Sequence, residues 1–116
     1  MTTVTFEKNE HGEYTGFTCF GHAGFAKKRL FRGYEPDILC AAISALTANT
    51  VNGLEELAGE QIIVTENAED GFLRCEIKSQ LKESSKLLID AYVLSLTEYS
   101  KQYGTKYLTV NFKEVR

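Results

Sequence analysis

Two short segments hold the residue types that could do chemistry. Gly21-His22-Ala23-Gly24 sets an imidazole among small residues. Asp37-Ile38-Leu39-Cys40-Ala41-Ala42-Ile43-Ser44-Ala45-Leu46 sets a thiol a few residues inside an expected helix start. A thiol and an imidazole at hydrogen-bond distance are the minimal unit for nucleophilic attack on an amide. The imidazole draws off the thiol proton and later protonates the leaving amine. The stretch from His22 to Cys40 is long enough to fold back and bring ring and sulfur together.

Pro36 is expected to fix the helix entry, with Asp37 as its N-cap and Cys40 in the first turn. Unbonded N–H groups and the positive end of the helix dipole favour a thiolate there. Ser44 follows one turn later on the same face, where it could bond the sulfur, the imidazole or a substrate, or simply return to the backbone. Asp37 could also orient His22. On these residues alone, a packed cysteine and a turn histidine remain open readings.

Other chemistries find less support. Cys19 and Cys75 fall in strand-like segments, where buried cysteine acts as a small hydrophobe. With a single histidine near Cys40 and no CxxC spacing, no metal site is expected, and no cofactor is. No resolving cysteine is close to Cys40 in sequence, and no Gly-rich phosphate loop precedes a helix. The net charge of −3 makes direct nucleic-acid binding an unfavoured reading. No signal-like or membrane-spanning run is visible, so the expectation is a cytoplasmic protein whose cysteines are thiols.

The elements that must position these residues follow from periodicity. Residues 4–6 and Glu13 to Phe20 alternate as strands about a turn at Asn9-Glu10-His11-Gly12, with Tyr14, Thr18 and Phe20 on one face and Phe17 and Cys19 on the other. His11 is expected to be solvated. Residues 21–36 read as a long loop carrying Lys27, Lys28, Arg29 and Arg32 beside Phe25, Leu30 and Phe31. A helix follows, with no charge between Asp37 and Glu55, so it is expected to be covered on more than one side. Gly59 should end it. Gln61 to Thr65 and Phe72 to Ile77 read as strands about Asp70-Gly71. A second helix spans about 84–103, capped by Ser84 or Ser85 and ended by Gly104, with Leu88, Ile89, Tyr92, Val93, Leu96, Tyr99 and Tyr103 as its buried stripe. Lys106 to Lys113 is a last strand. The order β-β-α-β-β-α-β implies one α+β domain over residues 1–116, a mostly antiparallel five-stranded sheet with two packed helices.

The paired segments, Gly21-His22-Ala23 and Asp37-Ile38-Leu39-Cys40-Ala41-Ala42-Ile43-Ser44-Ala45-Leu46, resemble the motifs of the ribosomal-processing cysteine protease family called Prp. The resemblance extends over essentially the whole chain. It implies a cysteine endopeptidase that removes the N-terminal extension of the bacterial large-subunit ribosomal protein L-twenty-seven. It implies Cys40 as nucleophile, His22 as proton acceptor and donor, a homodimer, and a loop that orders around substrate. On that reading Phe25, Leu30, Phe31 and Gly33 contact a peptide that is apolar and aromatic, then basic. The chain departs from the family pattern in a longer, more basic loop and in Leu39, where valine is common. The alternative reading is a non-catalytic, ribosome-associated protein that binds peptide or RNA.

Overall fold

The computed structural model describes residues 1–21, 35–67, 69 and 71–115. The chain runs β1 (Thr2–Lys8), β2 (Tyr14–Phe20), α1 (Glu35–Asn52), a single π-helical turn (Gly53–Leu57), β3 (Ile62–Asn67), β4 (Phe72–Ile77), α2 (Glu83–Tyr103) and β5 (Leu108–Glu114). The order matches the expectation. The five strands form one sheet in the order β3-β4-β2-β1-β5. Three of its pairings are antiparallel, while β5 lies parallel to β1. The sheet is therefore mixed.

The first hairpin closes through Asn9, whose side-chain oxygen accepts from the N–H groups of His11 at 2.9 Å and Glu13 at 3.0 Å. This is an Asx-type turn, made by a residue whose short amide side chain reaches its own backbone. His11 is exposed, as expected. The hairpin departs from simple alternation. Glu7 pairs with Gly16 but Lys8 pairs with Tyr14, so β2 holds one extra residue. Such a bulge reverses the side-chain alternation. Alternation alone places Tyr14 beside Thr18 and Phe20. It is instead buried on the face of Phe17 and Cys19, and its ring meets Phe6 at 6.1 Å.

Both helices pack against that one face. Val4, Phe6, Phe17, Cys75 and Leu108 from the sheet join Leu39 and Ile43 of α1 and Ile89, Tyr92 and Leu96 of α2 in one core. Tyr92 stands edge-on to Phe6 and Phe17, with centroids 5.5 and 5.2 Å away. Gly16 is a close point of the sheet: a Cβ there would lie 2.6 Å from the Cys75 carbonyl oxygen.

The junction after α1 is pinned by one acid. The chain leaves α1 through the π turn and Gly59, then presents Glu60, which is buried. Its carboxylate accepts from the Ser79 hydroxyl at 2.9 Å, the Lys82 backbone N–H at 3.3 Å and the buried Ser85 hydroxyl. The Lys82 ammonium donates to the carbonyls of Ala58 and Gly59. The expected cap of α2, Ser84 or Ser85, is not the one observed. The N-cap is Lys82, without a side-chain cap bond, and Glu60 comes from outside the helix to bond the Lys82 N–H and the Ser85 hydroxyl. No helix among the described residues is long and apolar enough to cross a membrane.

Candidate active site

Helix α1 carries the thiol. It begins at Glu35, ahead of the expected start. Pro36 explains the difference, because proline suits the first helical turn, where its missing N–H costs nothing and its φ already fits. Asp37 therefore lies inside the first turn instead of capping it, and Cys40 sits deeper than expected, past the unbonded N–H groups of the helix start. The helix dipole, whose influence fades within a turn, assists the sulfur less than the sequence suggests. The Cα–Cβ bond still leans toward the helix N-terminus and carries the thiol back over the first turn.

The three cysteines are sharply different. No disulfide joins them; Cys19 and Cys75 are buried and Cys40 is half-buried. Burial pushes the Cys75 thiol up to about 11. Burial does the same to Cys19, also to about 11; a bond with the Thr47 hydroxyl pulls the other way, and the neighbouring Cys40 thiol adds a small upward push. The reading of Cys19 and Cys75 as small core residues is borne out.

Cys19, near the end of β2, and Cys40 of α1 interact electrostatically, so the strand that leads into the glycine-histidine segment ends in the neighbourhood of the helix turn that carries the sulfur. Gly21 makes the exit. Its φ is +108°, and a Cβ there would collide with the Met1 carbonyl oxygen. Only glycine suits both the left-handed angle and the close approach. Its N–H donates to the Gly71 carbonyl at 3.2 Å, which ties the β3–β4 turn to the same end of the sheet. His22, Phe25, Leu30, Phe31 and Gly33 lie outside the described residues, as do Lys27, Lys28, Arg29 and Arg32. The side chain of Asp37 does so too, although its backbone is helical.

A cleft of about 300 Å³ opens along α1 from the turn after Cys40. Ile43, Ser44, Ala48 and Val51 form its helix wall; Val64, Glu66, Phe72 and Leu73 of β3 and β4 form the other; Cys19 also lines it. Ser44 is exposed and faces this space. Thr47 borders it while its hydroxyl meets the Tyr92 hydroxyl at 2.6 Å and donates to the Ile43 carbonyl at 2.7 Å.

A family model described as "Cysteine protease Prp" matches residues 1–108. The chain belongs to this family. Its enzymatic class is accordingly cysteine protease. Curated Prp relatives named ribosomal processing cysteine protease include one from Bacillus subtilis, 24% identical over 107 residues that cover 89% of this chain and 90% of the relative. Another, from Staphylococcus aureus, is 24% identical and covers 97% of this chain and all of the relative. Among solved structures, a Streptococcus mutans protein superposes with a TM-score of 0.81 at 27% identity, covering 99% of each chain. The S. aureus Prp protease in complex with a substrate peptide superposes with a TM-score of 0.84 at 23% identity, covering 97% of this chain and 100% of that one; this likeness is one of fold.

Within this Prp chain, spacing in the sequence picks out Cys40 and Ser44 but misses the wall opposite them. Val64, Phe72 and Leu73 read only as strand residues, and Glu66 falls just past the expected strand. They reach the site because β4 pairs with β2 across a long insertion, bringing the β3–β4 hairpin alongside α1. Nothing local in the sequence marks that pairing. Thr47 leaves a faint signal, as a polar residue on the buried face of a helix that carries no charge after Asp37.

Proposed function

We propose that this Prp-family protease removes an N-terminal extension from a basic ribosomal protein, the large-subunit protein L-twenty-seven, with Cys40 as nucleophile and His22 as its proton partner. The observation that carries the assignment of the nucleophile is the contrast among the thiols. Cys19 and Cys75 are buried and pushed up to about 11, while Cys40 is half-buried on a helix beside an open cleft. A thiol that must reach a peptide carbonyl has to be accessible and able to ionise. The electrostatic influence of Cys40 on Cys19, near the end of β2, supports His22 as the partner of Cys40, since His22 follows that strand in sequence.

In this reading His22 takes the Cys40 proton and the sulfur adds to the scissile carbonyl. The tetrahedral adduct collapses to a thioester as the C–N bond breaks, and the imidazolium protonates the departing amine. Water, deprotonated by the same imidazole, then cleaves the thioester and restores the thiol. Phe25, Leu30, Phe31 and Gly33 would contact the peptide, with Asp37 and Ser44 in auxiliary places. The working form is a cytoplasmic homodimer. The support for the dimer is the outward stripe of α1, where Ile38, Ala41, Ala45 and Asn49 are exposed and uncharged.

Mass spectrometry of the ribosomal protein incubated with the protease tests the reading. The native protein, Cys19→Ala and Cys75→Ala should release the extension, and Cys40→Ala should leave it intact. Cleavage by Cys40→Ala would sink the assignment. Binding of the substrate without cleavage by the native protein would point instead to a non-catalytic role.

A further inference from the structure

We propose that the open edge of β3 takes the peptide backbone of the substrate as an additional strand, held by the outward N–H and C=O groups of Val64 and Glu66 beside the α1 cleft. The proposal rests on the reading of Cys40 as the nucleophile toward a peptide substrate. Strand β3 lies at one edge of the sheet, with β4 on its inner side. The Lys78 N–H donates to the Gln61 carbonyl at 2.9 Å, and the register runs on from Ile62 opposite Ile77 to Asn67 opposite Phe72. Bonded and non-bonded pairs alternate along an antiparallel ladder. Ile63 and Thr65 therefore direct their backbone groups to β4, while Ile62, Val64 and Glu66 turn theirs outward. The neighbouring strand agrees. Cys75, opposite Val64, directs its carbonyl away from β3 and toward Gly16 of β2, where an added Cβ would meet it at 2.6 Å.

Val64 and Glu66 also line the cleft, so the outward backbone groups stand at its rim. Strands β2 and β3 both run antiparallel to β4 and so finish at the same end of the sheet. The bond from the Gly21 N–H to the Gly71 carbonyl marks that end, which is also the end where Cys40 acts on Cys19. A chain laid along β3 therefore runs toward the thiol. Open edges are normally guarded by proline, lysine or a bulge. Strand β3 has none of these: its register with β4 is unbroken, its sequence Ile62-Ile63-Val64-Thr65-Glu66-Asn67 holds neither proline nor lysine, and Ile63 and Val64 are 46% and 36% exposed. The other edge, β5, carries Lys113 and is no part of the cleft among the described residues. Successive outward residues of β3 stand about 7 Å apart, the repeat of every second residue in an extended peptide. Pairing of this kind holds a peptide extended and at a fixed distance through its main chain. It would keep one carbonyl in line with the sulfur, where orientation lowers the barrier to attack.

Amide hydrogen exchange of the Cys40→Ala protein, read residue by residue by NMR, tests the placement with a synthetic peptide spanning the cleavage point of the ribosomal protein. The Val64 and Glu66 N–H groups should exchange fast in the free protein and at least severalfold more slowly with saturating peptide. Those of Ile63 and Thr65, bonded to β4, should be protected in both. In cleavage by the native protein, N-methylation of the peptide should raise KM roughly tenfold at every second residue on one side of the cleavage point and little at the residues between, the order expected for one lost hydrogen bond. Val64→Pro removes an outward N–H that the ladder does not use, a position where an edge strand accepts proline. It should raise KM likewise, while iodoacetamide alkylates Cys40 at close to the native rate. If Val64→Pro fails to fold, the exchange and methylation measurements still decide. Val64 and Glu66 amides unmoved by saturating peptide, or methylation effects without alternation, would overturn the proposal. Protection in the free protein that grows with its concentration would assign the edge to a second copy and overturn it as well. A peptide that protects the edge but is never cut leaves the pairing standing and removes the proposed function; one that is cut without protecting the edge removes the pairing alone.

Discussion

Glu60 shows how much a single side chain can organise in a chain of this size. Burial raises the cost of its charge, yet the bonds from Ser85, Ser79 and the Lys82 N–H, with the Lys82 ammonium nearby, outweigh that cost and hold the carboxyl below its ordinary range. The unfolded chain therefore binds this proton more readily than the folded one. The stabilisation is fully present above the unfolded pKa of about 4.3 and is lost as pH falls through the lower folded value. Glu60→Ala strands the Ser85 hydroxyl and the Lys82 N–H, which should cost about 2–3 kcal/mol at pH 7. Urea denaturation of both proteins at pH 7 and pH 3 checks this, with the gap between them narrowing at the lower pH. A gap that widens on acidification would show that the carboxylate is not the stabilising form.

At the scale of elements, the link that fixes the cysteine helix is the hydroxyl pair Thr47–Tyr92, 2.6 Å apart between α1 and α2. Thr47→Val should cost about 1–3 kcal/mol, because it leaves the Tyr92 hydroxyl buried without its α1 partner. Adding Tyr92→Phe removes the stranded group, so the double variant should be more stable than the sum of the single losses predicts. Thermal denaturation across the four proteins measures that coupling, and strict additivity would mean that the pair does not bind the helices together. The elements themselves are legible wherever a local rule governs them: hydrophobic period places α1 and α2, and alternation places the strands to within a few residues. The departures arise where two rules compete. The bulge at Tyr14 overrides alternation, Pro36 joins the helix it is expected to precede, and Lys82 takes the N-cap position of α2 expected of a serine. At the candidate site, the helix that carries Cys40 can be read from spacing, while the residues alone leave a packed cysteine as an open reading. The β3–β4 wall cannot be read so, since strand order is decided by pairing between distant segments.

For the whole molecule, the sheet buries one face under two helices, and α1 in turn offers two different stripes. Ser44 and Ala48 look into the cleft, while Ala41, Ala45 and Asn49 look outward. A helix without charge from Ile38 onward is expected to be covered on more than one side, and within one subunit the outward stripe is exposed. A charge placed there, Ala45→Glu, should convert the proposed dimer to a monomer in sedimentation equilibrium with little change in the fold by circular dichroism. A native protein that sediments as a monomer at all concentrations would remove the dimer.

The parallel pairing of β1 with β5 has a consequence for how the protein comes into being. Thr2 lies opposite Leu108, nearly the full length of the chain away. Pairings this remote in sequence close slowly. As the chain leaves the ribosome, β1 emerges well before β5, yet one of its edges waits until β5 has been made. During synthesis that edge is open to other strands, the circumstance in which nascent chains mispair. The sheet is sealed only after translation has passed β5, so a stalled product lacking those last residues would hold both candidate site segments and still expose the strand that completes their scaffold.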